Sequence, residues 1–285
     1  MMSIRERLKD NQLVVLLVET YREFNIDNSS LLAAAVSYYL LFSLFPFALA
    51  IISIAGFVME SPSFEEQLIN GLATMIPVAR NLITSTLHGL VSAREATGIV
   101  AIVGLIWSAL AFFNALRRSL NAAWGIKQPY SFFKGQIVNI LMMIGAFIGL
   151  IIFIWASTWV RFIHETNVQN DLLRYTHSLA VSRSIFAVLS IIFAFGVILL
   201  LYKFIPSRRP RWRDIWAGAL LAAVILEIVR FGFIFYIKNF STYNLVYGPV
   251  GTVIALLAFI YIFIWVLLFT AKLSAVKLRL NSNAS

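Results

Sequence analysis

The sequence predicts an all-α polytopic membrane protein, built as a bundle of six transmembrane helices. Hydrophobic residues make up 60% of its 285 residues and charged residues only 13%, against about 25% charged in soluble domains. Six apolar runs come close to or exceed the roughly 20 residues that a helix needs to span a bilayer. These runs and the segments that connect them account for the chain, so we expect a single membrane domain over residues 1–285 without a soluble appendage.

Residues 1–28 are predicted to form an amphipathic interfacial helix ahead of the first span. Apolar side chains such as Leu8 and Leu16 alternate there with charged ones such as Arg7 and Glu19, a pattern typical of a helix lying in the membrane interface. The mixed charges, and the long apolar run that follows, argue against a cleavable signal peptide.

The first span, residues 31–58, is the run around which we expect the bundle to be organised. A 28-residue helix is about 42 Å long, against roughly 30 Å of bilayer hydrocarbon, and Pro46 predicts a bend within it. Tyr39, Ser43 and Pro46 share one face at steps of four and three. Small and hydroxyl side chains are typical of faces that pack on other helices. A lipid-facing anchor is the alternative.

The remaining elements follow in order. Residues 61–97 show helical spacing and predict a helical extracytoplasmic segment, lying on the membrane or over the bundle mouth. The second span covers 98–116, with a helical pattern that continues to Trp124 before Gly125 ends it. Pro249 is expected in the first turn of the last span. The third to sixth spans are predicted at 135–160, 185–202, 214–237 and 248–271.

The basic residues predict the orientation of the bundle. Six spans place both termini on one side, and most of the 23 Lys and Arg residues fall in segments on that side. Because basic loops stay on the cytoplasmic side, we expect both termini in the cytoplasm. The net charge of +10 is thereby explained by topology, without nucleic acid as a partner.

Glu227 and Arg230 are the charged residues inside a predicted span, close to its middle. A charge at that depth costs at least about 2.5 kcal/mol, which makes it a functional candidate. Their spacing places them on one helix face with Trp216, Leu220 and Ala223. One hypothesis is a polar cavity in which Arg230 meets an anionic headgroup or substrate. The other is a structural ion pair that fixes helix packing.

A second polar face runs along the end of span two and carries Asn114, Arg118 and Asn121. Asn114 is expected below the interface, where it needs a partner on another helix. Arg118 could instead snorkel to lipid headgroups. Together with Tyr39, Ser43, Pro46, Glu227 and Arg230, these residues form the candidate intramembrane polar site.

A basic segment follows the fourth span and suits contact with anionic lipid at the inner surface. Its candidate lipid contacts are Lys203, Arg208, Arg209, Arg211 and Arg213.

Composition and spacing give no support for catalysis. The chain has no cysteine, and His88, His164 and His177 lack metal-ligand spacing. Nucleophile and phosphate-binding motifs are absent from the sequence. We therefore expect no metal, no cofactor and no enzymatic activity.

Four blocks of sequence resemble the YihY/BrkB family (UPF0761) of bacterial six-span membrane proteins, once labelled ribonuclease BN. The blocks are Ala33–Tyr39 with Phe42–Pro46, Trp107–Ser108 with Leu116–Trp124, Tyr202–Pro206 with Gly218–Ala219, and Tyr247–Gly251 leading to Tyr261. The resemblance implies location in the bacterial cytoplasmic (inner) membrane and a role in envelope lipid movement. Family members commonly end span six with a Gly-Ala-Glu-like triplet, where this chain has Thr270-Ala271-Lys272. Lys272 is expected to be an inner-interface anchor instead.

Two functions remain open at this stage. The first is a transporter or flippase-like protein for an anionic amphiphile or lipid, and the second is a non-catalytic structural or assembly factor of the envelope. Ribonuclease activity is not expected, because clustered metal ligands are missing. Membrane lipids are the expected partners, and the sequence leaves a homo-oligomer open.

Overall fold

A computed structural model describes residues 12–58, 94–126, 131, 133–146, 148–149, 188, 190–208, 210–239 and 242–284. The described regular structure is entirely helical, in seven helices. Five are α1 (Gln12–Ile26), α2 (Ser29–Val58), α3 (Arg94–Ala123), α6 (Trp212–Asn239) and α7 (Thr242–Ala284). Two shorter apolar helices lie between α3 and α6, namely α4 (Phe133–Ala146) and α5 (Ser190–Phe204).

The first two long helices, α2 and α3, pack closely against each other. Pro46 lies within α2, which continues to Val58. The turn between α1 and α2 is made at Asn28, which has a positive φ of 51°, and asparagine tolerates this backbone region better than most residues. Gly125, with φ of 64°, lies just beyond α3, and Ile126 N–H donates to the Asn121 carbonyl. This is the glycine-ended helix terminus that the sequence predicted.

Helix α7 contacts α1, α2, α3 and α6. Its buried face supplies much of the hydrophobic core, to which α1, α2, α3, α5 and α6 also contribute. Tyr202 of α5 is fully buried there, and its hydroxyl donates to the Leu267 carbonyl at 2.5 Å. α7 begins at Thr242 and passes through Pro249, so the prediction that Pro249 opens this helix is wrong. Proline removes one backbone donor, and the long apolar face of α7 keeps the helix continuous.

Helices α6 and α7 are in close contact at Gly218. A Cβ at this position would lie 1.9 Å from Ser274 Oγ and 2.9 Å from the Thr270 carbonyl oxygen. Small residues permit such an approach between membrane helices, and Ala219, Ala222 and Ala223 continue the buried face of α6.

The outer surface of α6 between Trp216 and Tyr236 is largely apolar. Its exposed side chains include Trp216, Val224, Ile228, Phe231 and Phe235. Soluble monomers rarely expose apolar surface on this scale. Within the described part of the chain, two helical stretches are long and apolar enough to cross a membrane, Trp212–Tyr236 and Val253–Ser282.

Several predicted features lie outside the described residues. These are most of the 61–97 segment, residues 1–11, the distal part of the third span, Arg209 and the three histidines.

Candidate functional site

Glu227 and Arg230 form an ion pair within α6, between Glu227 Oε1 and Arg230 Nη2. Glu227 is buried, whereas the Arg230 side chain is 28% exposed. Arg230 Nη1 also reaches Ser190 Oγ of α5 at 3.5 Å. Arg230 Nε is buried and has no hydrogen-bond partner among the described residues. The guanidinium therefore bridges two helices and keeps one donor open.

The other residues on this helix face differ in exposure, since one is buried in the protein and two are exposed to the surroundings. Ala223 is fully buried against the core, as Glu227 nearly is, but Trp216 and Leu220 are exposed. The residues that the sequence places on one helix face thus differ in their surroundings along α6.

Asn114 belongs to a separate cluster between α3 and α4. Its Oδ1 accepts hydrogen bonds from Arg117 Nη2 and from Asn139 Nδ2, both at 2.9 Å. Asn139 Nδ2 also donates to Gln136 Oε1 at 3.2 Å. Asn114 therefore has the partner on another helix that its depth required. Sequence analysis missed Gln136 and Asn139, although their spacing of three residues places both amides on one face of α4.

Asn121 connects the end of α3 to the segment between α5 and α6. Its Nδ2 donates to Ser207 Oγ at 3.0 Å, and its Oδ1 accepts from the Ser207 backbone N–H at 2.8 Å. Arg118, one turn earlier, is exposed. In α2, Tyr39 is partly exposed, while the buried Ser43 hydroxyl donates to the Leu40 carbonyl of its own helix. Pro46 has intermediate exposure.

Among its described residues, the basic segment contains one engaged cation and three exposed ones. Lys203 Nζ donates to the Pro210 carbonyl at 2.7 Å and lies 5.0 Å from the centroid of the Trp212 ring. Arg208, Arg211 and Arg213 are exposed. Lys203 thus contacts other residues of the segment, and the exposed arginines place positive charge on its surface.

A further charge cluster joins α1 to α7, and we call it the α1–α7 cluster: Glu19, Glu23, Asp27, Lys272 and Arg279. Lys272 is only 4% exposed and pairs with Asp27 Oδ2 and, at 3.6 Å, with Glu23 Oε2. Its Nζ also donates to the Ala122 carbonyl of α3 at 3.4 Å. Arg279 pairs with Glu23 and, at 4.0 Å, with Glu19.

Lys272 is therefore buried in a network, which differs from the interface anchor that the sequence predicted. The acidic residues recur every four positions along α1, and the two cations stand seven apart on α7. This matched helical spacing was the available signal.

Phe24 packs beside these charges. It is 1% exposed and lies 5.1 Å and 5.5 Å, between ring centroids, from Trp265 and Phe269 of α7. Burial on its own would raise the pKa of Glu23, but the hydrogen bond and charge of Arg279, together with the charge of Lys272, hold this pKa below its usual value.

Among the described residues no group of three or more His, Cys, Asp or Glu side chains could hold a metal ion. The polar side chains serve instead to join helices, and the helices present apolar surface outward. These features are those of an all-helical membrane protein.

The chain belongs to the BrkB family, because the model of that family, described as virulence factor BrkB, matches residues 20–284. Relatives include a UPF0761 membrane protein of Aliivibrio salmonicida, 26% identical over 87% of this chain and 78% of its own length. Ribonuclease-like protein YfkH of Bacillus subtilis is 24% identical over 86% of this chain and 89% of its own length. A UPF0761 membrane protein of Prosthecochloris aestuarii is 23% identical over 86% of this chain, which spans 56% of that relative. No solved structure matches the chain.

Proposed function

We propose that the chain is a six-span inner-membrane protein, with both termini in the cytoplasm, that moves an anionic amphiphile across the bilayer. In this proposal α1 lies at the cytoplasmic interface, and residues 61–97 form a helical segment on the opposite side. The Glu227–Arg230 pair is the substrate contact. The substrate phosphate or carboxylate binds Arg230, and Glu227 balances the charge while the site is empty.

The observation that carries the proposal is the state of the Arg230 guanidinium. It stands near the middle of an apolar helix, partly exposed, with a buried Nε donor that no described residue satisfies. A charge held at that depth is expensive, and a planar guanidinium with an open donor suits phosphate or carboxylate oxygens. The amphiphile would place its acidic group there and keep its apolar part against the exposed face of α6.

The test compares three variants in proteoliposomes that contain a fluorescent phosphatidylglycerol, with dithionite quenching as the measure of transbilayer movement. Glu227→Leu/Arg230→Leu should fold, because both charges leave together, but should lose lipid movement. Arg230→Lys keeps the charge without the planar fork and should also be impaired. Arg22→Lys changes an exposed arginine on α1, outside the candidate polar site; it is the matched control and should retain the wild-type rate.

A stable double leucine variant with the wild-type rate would overturn this proposal. Thermal unfolding in detergent would be measured beside each rate, so that a loss of folding is recognised as such.

A structural or assembly role is the second candidate. It is favoured by the closure of the ion pair within a single helix and by the separation of the polar residues into distinct contacts with α4, α5 and the Ser207 segment. In that case the double leucine variant would complement an envelope defect in cells as well as the wild-type chain does.

A further inference from the structure

A groove of about 450 Å³ lies between α1, the start of α6 and the end of α7. Its walls include six leucines, among them Leu13 and Leu17 of α1, Leu221 of α6 and Leu278 of α7. All four side chains are also exposed, so the groove is open to the surroundings. Its size falls within the range of roughly 300–1,000 Å³ that is usual for ligand sites.

The floor of the groove lies at the close contact between α6 and α7. Gly218 and Ser274 both line it, and the Ser274 hydroxyl donates to the Thr270 carbonyl at 3.0 Å. This hydroxyl is therefore satisfied within its own helix. The missing side chain at Gly218 deepens the groove, and the floor offers little that would attract water.

Two cations stand at the groove, Arg213 and Lys277, and both are exposed. Within the described residues neither forms an ion pair. The acid that lines the groove, Asp214, accepts a hydrogen bond from the Arg211 backbone N–H at 3.3 Å. The groove thus combines an apolar interior with positive charge and one carboxylate engaged at the helix start.

We propose that this groove binds an anionic phospholipid, with one acyl chain between α1, α6 and α7 and the headgroup phosphate at Arg213 and Lys277. Charge complementarity and the leucine walls together favour this occupant. An acyl chain fills the apolar part of the groove, and a phosphate pairs electrostatically with the two cations. The inference rests on the cytoplasmic orientation of this end that we propose above. Arg213 and Glu227 are about 21 Å apart along α6, so the groove is a site distinct from the Glu227–Arg230 pair.

The first test measures lipid binding to the purified full chain in detergent by native mass spectrometry. Dioleoylphosphatidylglycerol should bind at least about ten-fold more tightly than dioleoylphosphatidylcholine, and Arg213→Gln/Lys277→Gln should remove most of that difference. The control Arg22→Gln/Lys134→Gln removes two exposed cations outside the groove and should change the affinity less than about two-fold. Equal binding of the two lipids, or an equal loss in the control, would overturn the proposal.

The second test fills the groove. Ala217→Phe places a ring among the leucines and should weaken the binding of both phospholipids. Thermal unfolding of this variant would be measured to establish that it is folded. Glycerol phosphate at millimolar concentration should not displace the lipid. Displacement by this headgroup alone would reduce the site to a phosphate site and contradict the role of the acyl chain.

The third test identifies the occupant in cells with a photo-crosslinking p-benzoylphenylalanine at Leu221. A crosslink to phosphatidylglycerol or another anionic phospholipid supports the proposal. A crosslink to a second copy of the chain, to another protein or to residues 1–11 of the same chain contradicts it. Glu227→Leu/Arg230→Leu should still give the crosslink from position 221 to phosphatidylglycerol, because Leu221 lines the groove and not the ion pair, so failure of the transport proposal remains distinguishable from failure of the groove.

Discussion

At the scale of single residues, Lys272 joins three helices, because its ammonium reaches carboxylates on and just beyond α1 as well as the last turn of α3. The Ala122 carbonyl belongs to the C-terminal turn of α3, where the helix dipole favours a cation. The positive charge of a lysine buried in this way is balanced by several partners at once. Its removal would strand acidic groups that are themselves poorly hydrated.

We expect Lys272→Met to lower the free energy of unfolding by about 3–5 kcal/mol, as when one partner of a buried ion pair is lost. Chemical unfolding in mild detergent would measure this change. Lys277→Met is the matched control, because Lys277 is exposed one and a half turns further along the same helix, and it should change stability by less than about 0.5 kcal/mol. A Lys272→Met protein as stable as the control would contradict the role of the network.

The carboxyl of Glu23 makes the stability depend on pH. Its folded-state pKa lies below the ordinary value of 4.5, so the unfolded chain binds its proton first as the pH falls. The stabilisation is fully present above about pH 4.5 and is lost as the pH drops through the folded-state pKa. The midpoint temperature of thermal unfolding should therefore fall more steeply between pH 5 and pH 3 for the wild type than for Glu23→Gln. Parallel curves for the two proteins would contradict this role of Glu23.

At the scale of elements, the packing of α6 on α7 depends on the absence of a side chain at Gly218. A Cβ there meets the Thr270 carbonyl oxygen as well as Ser274 Oγ, and backbone cannot move aside as a side chain can. Gly218→Ala should therefore separate the helices and cost about 1–3 kcal/mol of stability.

Gly232→Ala offers the comparison within the same helix. A Cβ at Gly232 has no atom within 4 Å, and alanine is favoured over glycine in a helix by about 1 kcal/mol. Thermal unfolding should show a lower midpoint temperature than the wild type for Gly218→Ala and no decrease for Gly232→Ala. Equal behaviour of the two variants would refute the close contact.

The sequence predicted helices well where the apolar run itself determined the structure. The α3 terminus at Gly125 and the position of α6 follow from local signals, namely a glycine after the helical pattern and a long, mainly apolar stretch. The start of α7 did not follow, because Pro249 is tolerated inside a helix whose packing outweighs one missing hydrogen bond. The pairing of α1 with α7 depends on residues far apart in sequence, which local periodicity does not connect.

The candidate site was predictable only in part, for the same reason. Glu227 and Arg230 stand three residues apart on one helix, and their contact follows from helix geometry. Which partner meets Asn114 or Asn121 depends on the arrangement of α4 and of the Ser207 segment. The sequence indicated that these amides need partners but did not identify them.

At the scale of the whole molecule, orientation across the membrane is the prediction with the widest reach. The chain contains no cysteine, so single substitutions can be labelled without background. Arg208→Cys and Leu280→Cys should react only after a membrane-impermeant maleimide is given access to the cytoplasm. Asn170→Cys and Thr242→Cys should react in intact cells with a permeable outer membrane. Labelling of Arg208→Cys from outside would reverse the arrangement.

The ion pair between Glu23 and Arg279 joins residues that are 256 positions apart. At ordinary rates of about 5–20 residues per second, the ribosome adds Arg279 some 13–50 s after Glu23. Throughout that interval the carboxylates of α1 lack Lys272 and Arg279, the cations with which they pair in the finished protein. Release of α1 from the biosynthetic machinery into its final contact is therefore coupled to completion of α7, and a nascent chain that stops short of Lys272 leaves an acidic helix exposed.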